Sequence, residues 1–176
     1  MDAQSIFKGS REILKSAGLY IRNAVTDDVL YVTSNARPSD LVEVAAFNVS
    51  IRAGGLKSHI ASPDYSYAVI GPSGEPCCVF GVSKSKFVYS DTKARVVWLL
   101  GTPELDSVLR DNPKTIIRAA RLVARRLTKN CGRIGNVIPT ALLPARSGFL
   151  TKLGAYWYEG LGFYAFFLEA KRVPRP

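Results

Sequence analysis

The sequence contains few of the residues that bind metals or form disulfide frameworks. Its 176 residues include three cysteines and one histidine, and Cys77 and Cys78 are adjacent rather than spaced as in a CxxC motif. This scarcity argues against a zinc centre and a disulfide scaffold. Because the pair lies in the apolar run PCCVFGV, we expect two small buried core residues. Adjacent buried cysteines, in an odd total of three, favour a reducing compartment.

Long apolar runs and acidic residues are also scarce. Charges or turn residues interrupt every apolar run before the roughly 20 residues that a membrane-spanning helix needs, and the N-terminal MDAQSIFKGSREILK has no signal-peptide apolar centre. We therefore expect a soluble protein inside a cell or a particle. The 24 basic residues outnumber 14 acidic ones, for a formal charge of +10. This excess predicts an anionic partner, which could be DNA, RNA, an acidic membrane surface or an acidic protein.

The first part of the chain is predicted to begin with a helix over residues 2–17, ended by Gly18. Residues 29–33 (VLYVT) are rich in residues that favour strands and predict one, and Ser39 is the expected N-cap of the helix that follows it. The runs SYAVIG and PCCVFGVSK, joined by PSGE, then predict an antiparallel hairpin.

The second part alternates strands and helices. The almost wholly apolar ARVVWLL predicts a central strand with both faces covered, and residues 101–112 read as an acidic, proline-containing loop. Asn112 and Pro113 predict the start of a helix that ends near Cys131. A strand over residues 133–138, a helix over residues 144–153 and two aromatic strands complete the pattern. We divide the chain into a helical extension (1–28), a domain (29–171) and a flexible tail (172–176).

This order of elements resembles the GNAT acetyltransferase fold, whose mixed sheet splays at its centre to admit acetyl-CoA. RPSDL (residues 37–41) is similar to the first strand-to-helix passage of such domains, and LTKLGA (150–155) to their late helix. The resemblance implies an α/β (α+β) fold with a mixed, mostly antiparallel sheet and helices on both faces. VVWLLGTPEL together with IGNV (134–137) is similar to a GNAT-like family of podophage proteins, which includes an internal virion protein.

The residues that matter for catalysis in that family differ here. GNAT enzymes hold the pyrophosphate of CoA with an Arg/Gln-x-x-Gly-x-Gly/Ala loop, and the matching residues 101–114 contain one glycine, two prolines and three acids. Leu150 stands where the resemblance places a tyrosine, and ARVVWLL carries no acid or base. We therefore expect no catalytic residue and no bound cofactor. His59 is read as a loop residue rather than as a base.

One helix carries a line of positive charge. On the helix after Asn112, the first four basic residues recur at steps of four, three and four, so they line the face opposite the apolar stripe, and the last two widen that line. We call this set the basic ridge; its members are Lys114, Arg118, Arg121, Arg125, Arg126 and Lys129. A solvated helix face is the ordinary explanation of such a run. The absence of interleaved acids instead predicts a surface that binds an anionic partner, including nucleic acid.

These observations lead to a functional hypothesis with one alternative. We expect a non-enzymatic structural or internal virion component of a tailed phage, located in the virion and, during assembly, in the host cytoplasm. Its expected partners are other virion proteins, with DNA and self-association left open. The alternative is an acyl-CoA-dependent N-acetyltransferase with an unconventional cofactor site.

Overall fold

The centre of the molecule is a mixed sheet. The computed structural model describes residues 3–46, 66–89 and 91–174, and within them seven strands form one sheet in the order β1-β2-β3-β4-β5-β7-β6. The strands are β1 (Tyr20–Asn23), β2 (Ser66–Ile70), β3 (Pro76–Tyr89), β4 (Thr92–Gly101), β5 (Ile134–Pro139), β6 (Tyr156–Gly160) and β7 (Phe163–Leu168). Every pairing is antiparallel except β4 with β5.

Helices cover both faces of this sheet. They are α1 (Ala3–Lys15), α2 (Thr26–Ser34), α3 (Pro38–Ala46), α4 (Pro103–Asp111), α5 (Pro113–Cys131) and α6 (Leu143–Lys152). The larger core joins α1 and α5 to one face, with Phe7 and Tyr67 both fully buried. The smaller core joins Val29 and Val32 of α2 to the other face. The predicted fold class is therefore confirmed.

The predicted N-terminal helix is present as α1 and contributes to the larger core. The ring of Phe7 meets the ring of Tyr67 edge-on, with 4.4 Å between centroids, and α1 packs against α5 and β1. Gly18 follows the helix with a positive φ of 70°, a conformation that suits glycine because it has no Cβ. This packing explains how a helix too short to be stable alone is held in place.

The strand predicted at residues 29–33 is wrong, because these residues belong to α2. The first strand is instead β1, which pairs with β2 and lies inside the stretch predicted as an extension. Val29 and Val32 are three positions apart and both buried, so a helix brings them to the same core. Asp28 secures the helix start by accepting a hydrogen bond from the Val25 amide at 2.8 Å. This tertiary packing outweighs the β preference of the valines.

Ser39 is not the N-cap of the next helix, because α3 begins one residue earlier, at Pro38. Proline is favoured in the first turn of a helix, where its missing N–H costs nothing. His59, predicted to be a loop residue, lies outside the described residues.

The acidic loop predicted at residues 101–112 is also wrong, because most of it forms α4. Pro103 is the first helical residue, and Leu105 and Val108 are buried on the inner side of the helix. The acids that suggested a loop suit this helix, since carboxylates stabilise an N-terminal first turn. A proline and acids at the start of a short helix therefore have the same sequence pattern as an acidic loop.

The remaining elements agree with prediction. The hairpin of β2 and β3 is antiparallel, β4 lies between two other strands, and α5 starts after Asn112. Cys77 and Cys78 are free and buried. The described part of the predicted flexible tail is packed rather than loose: Val173 is 4% exposed and belongs to the larger core, because its apolar side chain is removed from water there. The division of the chain into three parts stays a prediction.

Candidate functional site

The sheet opens at its middle, between the parallel strands β4 and β5. The two strands are paired only at Arg95 with Ile134 and at Val96 with Gly135. Beyond this point β4 continues to Gly101, while β5 continues to Pro139 paired with β7 alone. The two strands therefore part after a short ladder, and residues 97–101 of β4 border a gap. We call this gap and the space behind it the central cleft.

The central cleft holds a cavity of about 520 Å³ with mostly apolar walls. Side chains of β4, α5 and α6 line it, among them Val97, Leu99, Ile116, Val123, Phe149 and Leu150. Leu99 is 46% exposed although it lies on a central strand, since it faces this opening. A cavity of this size and character is typical of sites that bind the apolar part of a small ligand.

Gly135 allows β5 to lie close to β7. A Cβ added at this glycine would lie 2.2 Å from the carbonyl oxygen of Phe166 on β7. Any larger residue would push β5 away from its neighbour, because the interior is closely packed. The absence of a side chain therefore fixes the position of β5 and, with it, one wall of the central cleft.

Four charged residues meet at the mouth of the central cleft. Asp40 of α3 accepts hydrogen bonds from Nε and Nη2 of Arg37, at 3.1 and 2.8 Å, and from Nη2 of Arg146 on α6. Nη1 of Arg37 donates to Asp106 on α4 at 2.7 Å. We call this set the buried ion cluster. Its side chains are 4% exposed for Arg37 and 2% for Asp40, against 62% for Asp106.

The buried ion cluster is balanced, with two cations and two anions. Burial alone would lower the pKa of Arg37, but Asp40 and Asp106 outweigh it and raise that pKa. Arg37 is therefore always charged, and Asp40 neutralises it where water cannot. Because the four residues come from the loop before α3 and from α3, α4 and α6, the cluster ties together the elements around the mouth.

The main-chain donors at the end of β4 are already bonded within the protein. The amide of Gly101 donates to Asp40 Oδ2 at 2.7 Å, and the amide of Thr102 donates to the carbonyl of Cys77 at 2.9 Å. Pro103 has no amide hydrogen. Glu104 accepts hydrogen bonds from the amide and hydroxyl of Ser73. The stretch aligned with the pyrophosphate loop of GNAT enzymes thus has its first amides engaged by a carboxylate and a carbonyl.

Two further polar side chains line the central cleft. A hydrogen bond with Cys77 and burial raise the pKa of the Cys78 thiol well above its ordinary value, so this thiol is protonated at neutral pH and is a poor nucleophile. The indole Nε1 of Trp98 is buried and has no hydrogen-bond partner within the described part of the chain. The Trp98 ring packs with the smaller core around Val29 and Val32, so this N–H is buried there.

The basic ridge lies away from the central cleft. The inward residues of α5 line the cavity, while Lys114, Arg118 and Lys129 are exposed. Arg121 is half-buried, and its Nε donates to the carbonyl of Lys152 on α6 at 3.0 Å. The structure thus places the ridge residues on one face, as predicted from their spacing. Whether they bind a partner stays a prediction.

Sequence reasoning missed the buried ion cluster. Arg37 and Asp106 are 69 positions apart, and Asp40 and Arg146 are 106 apart, so no local pattern joins them. Among the described residues, no group of three His, Cys, Asp or Glu side chains is placed to hold a metal ion. Over the same residues, none of the helices meets the length and apolarity that a membrane span requires.

Comparison with known proteins places the fold. No protein-family model and no curated protein sequence matches the chain. The PaiA N-acetyltransferase of Thermoplasma acidophilum, solved with coenzyme A, is 11% identical with a TM-score of 0.58, over 86% of this chain and 98% of that one. The GNAT domain of S. lividans PAT is 10% identical with a TM-score of 0.56, over 84% and 88%. A dodecameric spermidine N-acetyltransferase of Vibrio cholerae is 10% identical with a TM-score of 0.55, over 88% and 95%.

These comparisons correct the functional hypothesis drawn from the sequence. The expectation of a non-enzymatic virion component is wrong, because the solved structures that share the fold are N-acetyltransferases and nothing in them supports a phage family or a structural role. What these proteins share with this chain is the fold, and one of them was solved with coenzyme A. The chain thus has the fold of the GNAT acetyltransferases.

Proposed function

We propose that this protein is an N-acyltransferase that uses an acyl-CoA donor bound in the central cleft. The observation that carries the proposal is the parting of β4 and β5 around an apolar cavity of about 520 Å³. The fold is shared with N-acetyltransferases, one of them solved with coenzyme A. Fold alone does not define activity, and the central cleft supplies the support that is specific to this chain.

The walls of the central cleft fit the thioester end of such a donor. Val97, Leu99 and Leu150 offer apolar surface to its acyl group and its slender arm.

The diphosphate end of the donor calls for a different arrangement from that of the GNAT loop. The amides of Gly101 and Thr102 are bonded to Asp40 and Cys77, so they do not fit a diphosphate. The nearby cations Arg37 and Arg146 are paired with Asp40 and Asp106, so they add no net charge there. We therefore place the unconventional feature of this site at its phosphate end.

When bound, acyl-CoA supplies a thioester carbonyl that an amine attacks: the N–C bond forms, the C–S bond breaks, and the proton lost by the amine nitrogen ends on the departing sulfur, which leaves as the thiol of CoA. The contribution of this chain is to orient the two reactants and to keep water from the thioester, which its apolar walls do. Because Cys78 is held as a thiol by its raised pKa, transfer goes directly to the amine without an acylated cysteine.

Acetyl-CoA binding, measured as a change in melting temperature, tests the proposal. A donor that binds the native state raises the melting temperature, by an amount equivalent to about 2.7 kcal/mol at 100 times its Kd. Leu99→Trp fills the cavity and should abolish the increase. Leu161→Trp is the matched control, because Leu161 is 99% exposed in the turn between β6 and β7, and it should keep the increase. No increase in the wild type, or an undiminished one in Leu99→Trp, contradicts the proposal.

A further inference from the structure

The outer face of α5 differs from the rest of the molecular surface in its charge. The sequence of α5, PKTIIRAARLVARRLTKNC, contains six basic residues and no acid. Burial of Ile116, Ala119, Ala124 and Leu127 on the inner face fixes the rotation of the helix about its axis. The basic ridge must therefore face outward. From its first to its last residue the ridge spans about 22 Å, at 1.5 Å per residue.

Four of the six ridge residues carry charge that no ion pair balances in the part of the chain that the structure describes. Among the described residues, no ion pair joins Lys114, Arg118, Arg125 or Lys129 to a carboxylate. One acid, Glu12 of α1, shares a surface hollow of about 390 Å³ with Lys114 and Arg118. Like charges at steps of three and four repel each other on a helix. A surface that keeps them despite this cost suits a polyanion.

The composition of the ridge distinguishes between kinds of polyanion. Protein interfaces have cores enriched in aromatic side chains and depleted of charge, whereas α5 has no aromatic residue. Single-stranded nucleic acids are held by aromatic platforms on which the bases stack, and α5 offers none. A straight line of cations instead matches the backbone of a stiff duplex, whose phosphates follow one another at about 3.4 Å of rise per strand.

We propose that the basic ridge binds the phosphate backbone of double-stranded DNA without reading its sequence. Arginine and lysine side chains that contact phosphates hold a protein on the duplex but do not distinguish base pairs. The ridge lies on the side of α5 opposite the central cleft. DNA binding and acyl transfer are therefore separate properties, and either can fail without the other.

Fluorescence anisotropy with a labelled 20-bp duplex, measured between 50 and 200 mM salt, tests this proposal. We expect equal affinities for two unrelated sequences and a steep loss of affinity with salt. The variant Lys114→Gln/Arg118→Gln/Arg125→Gln removes three phosphate contacts, so the slope of log K against log salt should become shallower by about 2.7, at 0.9 per contact. These three side chains make no hydrogen bond or ion pair within the described structure, so the fold should be retained.

The matched control is Lys93→Gln/Arg110→Gln/Lys171→Gln, which removes the same charge from other exposed sites: Arg110 and Lys171 are 74% and 79% exposed, and Lys93 is also exposed. It should keep the wild-type slope. Equal losses in the two triple variants would overturn the proposal, because general charge would then explain the binding. Tighter binding of a duplex RNA or a single strand, or a preference between the two DNA sequences, would overturn it as well.

Discussion

The mouth of the central cleft and the outer face of α5 carry cations in opposite ways. On the inner side, at the mouth of the central cleft, Arg37 is 4% exposed and shares its charge with Asp40 and Asp106. On the outer side, Lys114, Arg118 and Lys129 are exposed, and among the described residues no carboxylate forms an ion pair with them. A buried cation must have an anion at fixed geometry, whereas an exposed one is stabilised by water. The inner cations hold structure together, and the outer ones are free to meet a partner.

The largest expected effect comes from breaking the inner arrangement. Asp40→Asn leaves the charges of Arg37 and Arg146 without their shared carboxylate, and loss of one partner from a buried ion pair costs about 3–5 kcal/mol. Urea unfolding should show this decrease in the free energy of unfolding. Asp106→Asn is the matched control, because it also contacts Arg37 but its side chain is 62% exposed, and it should cost about 1 kcal/mol or less. Equal costs for the two variants would contradict the comparison.

The next effect concerns the wall of the central cleft. Gly135→Ala places a Cβ 2.2 Å from the Phe166 carbonyl oxygen, so β5 or β7 must shift, at a cost of about 1–3 kcal/mol. Gly148→Ala in α6 is the control: no atom lies within 4 Å of its added Cβ, and alanine favours a helix by up to about 1 kcal/mol. Thermal unfolding should move in opposite directions for the two variants, and a shift of both in one direction would count against this account.

Replacement of a ridge residue should change stability least. Arg118→Ala alters an exposed helix position, so the free energy of unfolding should stay within about 0.5 kcal/mol of the wild type. A chemical denaturation curve measures this. A loss comparable to that of Asp40→Asn would mean that the basic ridge is structural after all.

A third ionic group, around Glu169, should contribute to the free energy of unfolding by an amount that depends on pH. Burial alone would raise the pKa of Glu169, but hydrogen bonds from Arg133 and Tyr156 outweigh it and lower that pKa. A lowered pKa stabilises the folded state above the unfolded-state value of about 4.3, and this stability is lost as pH falls through the folded-state pKa. Between pH 7 and pH 3 the wild type should therefore lose more stability than Glu169→Gln. Parallel losses in the two proteins would exclude this contribution.

The sequence predicted those elements whose signals are local. Residues 113–131 combine an apolar stripe at helical spacing with a proline in the first turn, and they form α5. ARVVWLL is apolar on both faces and forms the central β4. The helix α2 could not be predicted in this way, because its valines favour strands and only their packing on β2, β3 and β4 makes them helical.

The candidate site was less predictable than the fold. The apolar walls of the central cleft look like core residues in the sequence, because residues such as Leu99 and Val123 have the same chemistry whether they face a cavity or a neighbour. The buried ion cluster depends on contacts between distant segments. The basic ridge was predictable, since three- and four-residue steps along one helix determine which side chains share a face.

Amide hydrogen exchange with and without acetyl-CoA tests most directly the claim that the central cleft binds the donor. Ligand binding slows exchange where it suppresses local opening. Protection should be greatest along residues 97–101 of β4 and residues 136–139 of β5, which border the gap, and Leu99→Trp should remove it. Protection confined to the basic ridge would show that acetyl-CoA binds only as an anion, and no protection at all would likewise contradict the claim.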